Sequence, residues 1–235
     1  MMERKKWCLL IISCVMVGVI GCKNKDSITV NGFTGNVDTG WINLIQNDNR
    51  GWHNYLGDRD IQWKVENGIF FTKGGNGDIV TDEIYEHFEL EVEWKIEKGG
   101  NSGIFIYVDE RPENKYIHVS GPEFQIIDNE NYPIDITQEQ TTGALSDVLA
   151  PSEDKTNDIG EWNRTRIISK KGEVEYWLNG YKIVEFTIGS DELNNKIAKS
   201  KFSDLPYAKS AKGRIGLQDH GDPVYFRNMR IKLIE

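Results

Sequence analysis

Eight residues in the middle of the chain, Glu89-Leu90-Glu91-Val92-Glu93-Trp94-Lys95-Ile96, alternate charged with apolar without a break. A strand turns successive side chains to opposite faces, so this pattern buries Leu90, Val92, Trp94 and Ile96 together and leaves the charges on the other side. A helix would scatter the same four around its circumference. The turn cluster Gly99-Gly100-Asn101-Ser102-Gly103 follows, then the apolar run Ile104–Val108, which reads as a second strand paired antiparallel with the first. Further strands are expected at Ile61–Val65, Gly68–Thr72, Glu123–Ile127, Arg164–Ser169, Glu173–Leu178, Lys182–Thr187, Gly213–Gln218 and Val224–Leu233. Asn179-Gly180 between two of them is a hairpin turn, because both central residues of such a turn need positive φ. Helical signal is confined to Asp191–Lys199. Many short strands separated by turns predict an all-β fold, a two-sheet antiparallel β-sandwich of jelly-roll type.

The longest connection, Asn129 to Glu161, carries Tyr132, Pro133, Ile134, Leu145, Val148, Leu149 and Pro151. Structureless loops of that length in compact domains are commonly functional. Its apolar content predicts a packed loop at the rim of a site.

The N-terminus reads as an address. Arg4, Lys5 and Lys6 precede an apolar run from Trp7 to Ile20 that closes on Gly21-Cys22. A basic start, a short apolar core and a small residue before the cut describe a secretory signal. A cysteine directly after the cut matches the bacterial lipoprotein pattern. Residues 1–21 are thus expected to be a lipoprotein signal peptide, Cys22 the lipid attachment site and the cell envelope the location. Residues 22–38, polar and rich in Gly, Asn and Thr, are expected to be a flexible tether, and residues 39–235 a single domain. Of the 3 cysteines, Cys8 and Cys14 fall inside the leader, so the mature chain has no internal disulfide.

A net charge of −9 argues against a nucleic-acid partner, which needs clustered Lys and Arg to neutralise phosphates. The only membrane contact expected is the lipid anchor. Oligomeric state is not legible.

Candidate chemistry lies on the polar strand faces. Glu89, Glu91 and Glu93 share one face; Glu123 and Gln125 share another; Gly216, Gln218 and His220 lie opposite Ile215 and Leu217. Placed in one sheet, these faces would line a groove of carboxylates, amides and one imidazole. Such a groove suits a small oligosaccharide or glycoside, whose hydroxyls bond those groups and whose ring faces stack on some of the 7 Trp and 9 Tyr. Against this, any antiparallel sheet with a solvated side shows one polar face per strand. Asp128 closes its strand and suits a turn as well as a substrate. His53, His87 and His118 lack such company and read as structural or surface. Asp219, His220 and Asp222 could offer ligands to a divalent cation, but no HExxH, Cys cluster or EF-hand pattern accompanies them.

Several strings in fixed order carry a resemblance. They are Asn101-Ser102-Gly103-Ile104-Phe105, Gly121-Pro122-Glu123-Phe124-Gln125-Ile126-Ile127-Asp128, Thr142-Gly143-Ala144-Leu145, Gly160-Glu161-Trp162-Asn163, Trp177-Leu178-Asn179-Gly180, Ser200-Lys201-Phe202, Gly216-Leu217-Gln218-Asp219-His220-Gly221 and Phe226-Arg227-Asn228. From about Gly40 to Glu235 the chain resembles the 3-keto-disaccharide hydrolase domain family. The resemblance implies a concanavalin-like jelly roll and activity on 3-keto-glycosides. Two positions depart from it. Ser146 stands where relatives often carry Tyr, and Tyr107 where Arg is common; contact of either with substrate would change specificity.

A ketone at C3 acidifies the proton on C2, so a base can remove it and the enolate can expel the C1 substituent. On this resemblance Glu123 and His220 are the proton-transfer candidates, with Gln125, Gln218 and Asn101 as hydroxyl or oxyanion partners. Asp128, Asp219 and Arg227 would support them or bind substrate, as would the groove residues Glu91 and Glu93. Two alternatives stand beside it: a conventional glycosidase using Glu91 and Glu93 as paired carboxylates, and a non-catalytic carbohydrate-binding protein.

Overall fold

The structure, a computed structural model, describes residues 27–30, 33–36 and 40–235. Its strands are β1 (Ser27–Val30), β2 (Phe33–Asn36), β3 (Trp41–Asn43), β4 (Trp52–Asn54), β5 (Lys64–Glu66), β6 (Ile69–Thr72), β7 (Ile79–Thr81), β8 (Phe88–Ile96), β9 (Asn101–Val108), β10 (Glu123–Ile127), β11 (Asn163–Lys170), β12 (Glu173–Leu178), β13 (Tyr181–Thr187), β14 (Arg214–Leu217) and β15 (Val224–Leu233), with one α-helix, α1 (Asp191–Ile197). They form a ten-stranded sheet, in which the order β1-β2-β3-β15-β8-β11-β12-β13 is joined by β6 and β5, and a five-stranded sheet in the order β10-β9-β14-β7-β4. Every pairing is antiparallel, as the β-sandwich reading requires. The leader and Cys22 lie outside the described residues. Within the expected tether, β1 and β2 pair as a hairpin, and β2 adds to the edge at β3.

The alternation in β8 does what its period predicts. Phe88, Leu90, Val92, Trp94 and Ile96 are buried in the core between the sheets. Ile104, Ile106, Phe124, Ile126, Ile215 and Leu217 meet them from the five-stranded sheet. The Trp94 indole donates to Thr165 Oγ1 at 2.8 Å, satisfying its one polar atom in the core. Asn179 and Gly180 have φ of 49° and 91°, the hairpin geometry that joins β12 to β13. Helix α1 is capped by Ser190, whose Oγ accepts from the Leu193 amide at 3.2 Å.

The expected β8–β9 pair does not form. β8 lies between β11 and β15 in the larger sheet, while β9 lies between β10 and β14 in the smaller. The glycine-rich turn therefore carries the chain across the sandwich. Alternation identifies the buried face of a strand but not its neighbours.

β9 and β10 are buried on both faces. On the outer face, Phe105, Val80 and Val108 form a small apolar cluster with Ile117, against which Tyr55 packs. The free edge of β10 is covered by the long loop, which packs as expected. The Gln125 amide donates to the Ala144 carbonyl, the Gly143 amide to the Gln125 carbonyl and the Ser146 amide to the Glu123 carbonyl. An otherwise open edge is thereby paired, and the remaining outer face of the small sheet is left at the bottom of a hollow.

Candidate active site

That hollow, about 160 Å³, is floored by Asn101, Glu123, Gln125 and Gln218, with His220 at its mouth. Tyr132, Ile134, Ile136, Gln140, Ser146 and Asp147 of the long loop wall it, and Lys201 enters from the segment after α1. Five sequence candidates thus meet in one place. They come from the adjacent strands β9 and β10 and from the segment that follows β14, the neighbour of β9.

Glu123 is the most constrained of them. It is 5% exposed, and its carboxyl lies over β9, where a Cβ on Gly103 would sit 2.2 Å from Oε1. Only glycine leaves that space. Burial pushes the carboxyl up to about 8, against the hydrogen bond from Ser146 and the charge of Lys201, with Asp147 and Asp78 reinforcing the rise. A carboxylate held near neutrality suits proton transfer.

Two acceptors on the floor have no protein donor among the described residues. Asn101 Oδ1 and Gln218 Oε1 are buried without a hydrogen bond. Buried acceptors in that condition are costly unless a ligand or solvent donor meets them. Asn101 is only 7% exposed, and its amide nitrogen donates to the Tyr132 hydroxyl at 3.2 Å. The floor therefore offers hydroxyl-accepting oxygens beside a carboxyl, as a sugar ring would require.

The other sequence candidates lie elsewhere. Glu91 and Glu93 are on β8, in the larger sheet, so the expectation that all three polar faces share a sheet is corrected. Glu91 accepts from Arg230 at 2.6 Å and Arg164 at 2.6 Å; Glu93 accepts from Arg227 at 2.7 Å. Although burial works the other way, these arginines hold both carboxyls below their usual range. The Arg227 guanidinium stacks 4.0 Å from the Trp162 ring centre and Arg230 4.5 Å from Trp41. Charges on a strand face are here consumed by their cross-strand neighbours.

Asp128 holds a turn. It accepts from the amides of Gly99 at 2.8 Å, Glu130 at 3.1 Å and Asn131 at 3.0 Å, and these bonds depress its carboxyl despite burial. Asp219 clamps the 72–76 turn, accepting from Thr72 Oγ1 at 2.9 Å and from the amides of Gly75 at 3.0 Å and Asn76 at 2.6 Å. Asp222 accepts from the Asn101 amide at 3.1 Å. Among the described residues no group of three or more His, Cys, Asp or Glu is placed to hold a metal ion.

Sequence reasoning gave no role to Lys201, Asp147, Gln140 or Tyr132. Their signal was the loop itself and the string Ser200-Lys201-Phe202, which carries no periodicity. Of the two departures, Ser146 lines the hollow. Tyr107 does not: its hydroxyl donates to the Glu86 carbonyl at 3.0 Å and bonds Ser169, on the core side.

Comparison with known proteins identifies relatives of the chain. A 3-keto-disaccharide hydrolase from Bacteroides thetaiotaomicron is 32% identical over 217 residues, 79% of this chain and 75% of that protein. A solved structure from Parabacteroides distasonis, provisionally designated a glycosyl hydrolase, is 35% identical with a TM-score of 0.80, covering 84% of this chain and 95% of that one. A second from the same organism, with the same designation, is 27% identical with a TM-score of 0.64, covering 83% and 99%. The model of the 3-keto-alpha-glucoside-1,2-lyase-like domain matches residues 40–232, and the chain belongs to that family.

Proposed function

We propose that this protein cleaves 3-keto-glycosides at the hollow over β9 and β10. The observation that carries the reading is Glu123, a buried carboxyl poised near neutrality beside acceptors that lack donors. In its ionised form Glu123 takes the proton from C2 of the keto-sugar. The C2 electrons form an enolate with the C3 oxygen and then expel the C1 oxygen, leaving a C1=C2 double bond. His220, at the mouth, donates a proton to the departing oxygen. Water then adds across the double bond, its hydroxyl to C1 and its proton to C2, so the net reaction is hydrolysis. Asn101 and Gln218 accept bonds from ring hydroxyls, and Gln125 lies beside them as a further partner.

A conventional glycosidase needs two free carboxyls flanking the scissile bond. Glu91 and Glu93, the pair available for it from the sequence, are bound to arginines on the other sheet. A purely binding role would not call for a carboxyl in a site that raises it to about 8. Both points favour the keto-sugar route.

The leader and Cys22 extend the reading to an exported, lipid-anchored enzyme of the cell envelope. The test of the chemistry is product formation by the full chain from a 3-keto-disaccharide, compared between wild type, Glu123→Gln and His220→Ala. Full turnover by both variants would remove those residues from the reaction.

A further inference from the structure

Proton abstraction next to a ketone moves negative charge from the base to the ketone oxygen, and that oxygen needs a preorganised cation or donor. Among the residues lining the hollow, Lys201 alone carries a permanent positive charge. We propose that Lys201 is the catalytic cation that stabilises the enolate oxygen at C3 while Glu123 removes the C2 proton, an assignment that rests on the keto-sugar reading above.

The ammonium is held in place from behind. It forms an ion pair with Asp147, whose other oxygen accepts from Gln140 Nε2 at 2.7 Å. Asp147 has φ of 59°, a conformation that a non-glycine residue adopts at a cost, and its amide is tied to the Glu139 carbonyl at 2.8 Å. The long loop thus spends backbone strain to aim one carboxylate at Lys201. Phe202 flanks the ammonium, 5.0 Å from ring centre to Nζ. The charge of Lys201 is felt by Glu123, which it lowers, and by His118, which burial and Lys201 together lower. Lys201 and Glu123 line the same hollow.

The charge balance closes. The Glu123 carboxylate gains the C2 proton and becomes neutral; the electron pair of the C–H bond passes into the C2=C3 enolate; the negative charge arrives on the C3 oxygen. The Lys201 ammonium donates a hydrogen bond there and keeps its proton. Asp147 keeps the ammonium oriented throughout.

The test uses the purified full chain with Lys201→Met and Lys201→Arg. Two probes are needed: an aryl 3-keto-glucoside for cleavage, and a 3-keto sugar lacking a C1 leaving group, whose C2 proton exchange in D2O is followed by NMR. Rates are compared on the high-pH plateau, where Glu123 is ionised in every variant. Lys201→Met is expected to lose about 10²–10³-fold in both cleavage and exchange, the cost of removing one oxyanion donor, while Lys201→Arg retains most of the exchange. The acidic limb of kcat/KM also moves to higher pH in Lys201→Met, because Glu123 loses a neighbouring positive charge while the carboxylates Asp147 and Asp78 continue to raise it. Lys201 is 57% exposed in its side chain, so its removal leaves the fold intact, checked by the thermal midpoint. Plateau rates for Lys201→Met within threefold of wild type would overturn the assignment while leaving the keto-sugar reading standing. Wild type that neither cleaves nor exchanges these probes would overturn both.

Discussion

The carboxyl of Glu123 occupies the space that a side chain on Gly103 would need: a Cβ there would stand 2.2 Å from Oε1 and 2.9 Å from Cδ. Gly103 is on β9, paired with Gln125, two residues along β10 from Glu123. The missing side chain on one strand thus sets where the acidic group on the next one lies. Gly103→Ala should push the carboxyl off its position. The expected outcome is a loss of kcat of about 10²-fold, the scale at which a displacement of about 1 Å in a reacting group acts, with thermal unfolding still cooperative. Unchanged kcat in a folded variant would contradict the placement.

The raised proton affinity of Glu123 also acts on stability. In the unfolded chain this carboxyl ionises near 4.5, and in the folded protein at about 8. Between those values the folded state holds a proton that the unfolded chain has released, so stability falls as pH rises, by about 1.4 kcal/mol per pH unit for this group. The contribution is complete below 4.5 and lost as pH passes 8. Glu123→Gln keeps the shape without the charge. Its thermal midpoint relative to wild type should therefore climb as pH increases from 5 to 8 while its turnover falls. Asp78, raised by burial to about 6, titrates in both proteins. Parallel midpoints across that range would refute the assignment.

Wild-type turnover should follow the opposite trend. Abstraction at C2 needs the ionised carboxylate, so kcat/KM for a 3-keto-glycoside should rise from pH 6 and level off above about 8. A profile flat from 5 to 9 would exclude Glu123 as the base.

Glu91 and Glu93 provide the control for the rival carboxylate pair. Each is bound to arginine on the outer face of the larger sheet, away from the hollow. Glu93→Gln should leave kcat within twofold and cost about 1 kcal/mol or less in stability, the range for partly exposed ion pairs. Glu91 is 8% exposed, so Glu91→Gln leaves Arg230 and Arg164 short of a partner and costs more stability, again without loss of turnover. A large drop in kcat from either would favour the conventional mechanism.

Cys22 tests the cellular reading. Wild-type protein should fractionate with membranes and take up labelled fatty acid, and Cys22→Ala should do neither. Equal partition of the two would contradict the anchor.

Much of the sandwich could be read from residue order because period-2 burial is a local property. Glu123–Ile127, Glu173–Leu178 and Val224–Leu233 have the bounds that alternation and turn residues predict. Pairing is not local. Nothing in Glu89–Ile96 tells whether its charged face meets arginines of β11 and β15 or a substrate, and here cross-strand ion pairs absorb it. Glu123, Gln125, Gln218 and His220 are legible as polar residues on or beside apolar strands, and Asn101 through the family resemblance alone; they meet because β10, β9 and β14 are neighbours. Lys201 and Asp147 were beyond reach for the converse reason. They lie in irregular segments 54 positions apart, and only the fold of the long loop brings them together.

The most direct test is a matched pair of disaccharides, identical except that one carries a ketone at C3, each incubated with wild type and with Glu123→Gln. Cleavage of the oxidised sugar alone, abolished in Glu123→Gln, is the predicted result. Cleavage of the unoxidised sugar at a comparable rate, or undiminished cleavage of the oxidised one by Glu123→Gln, would contradict the account.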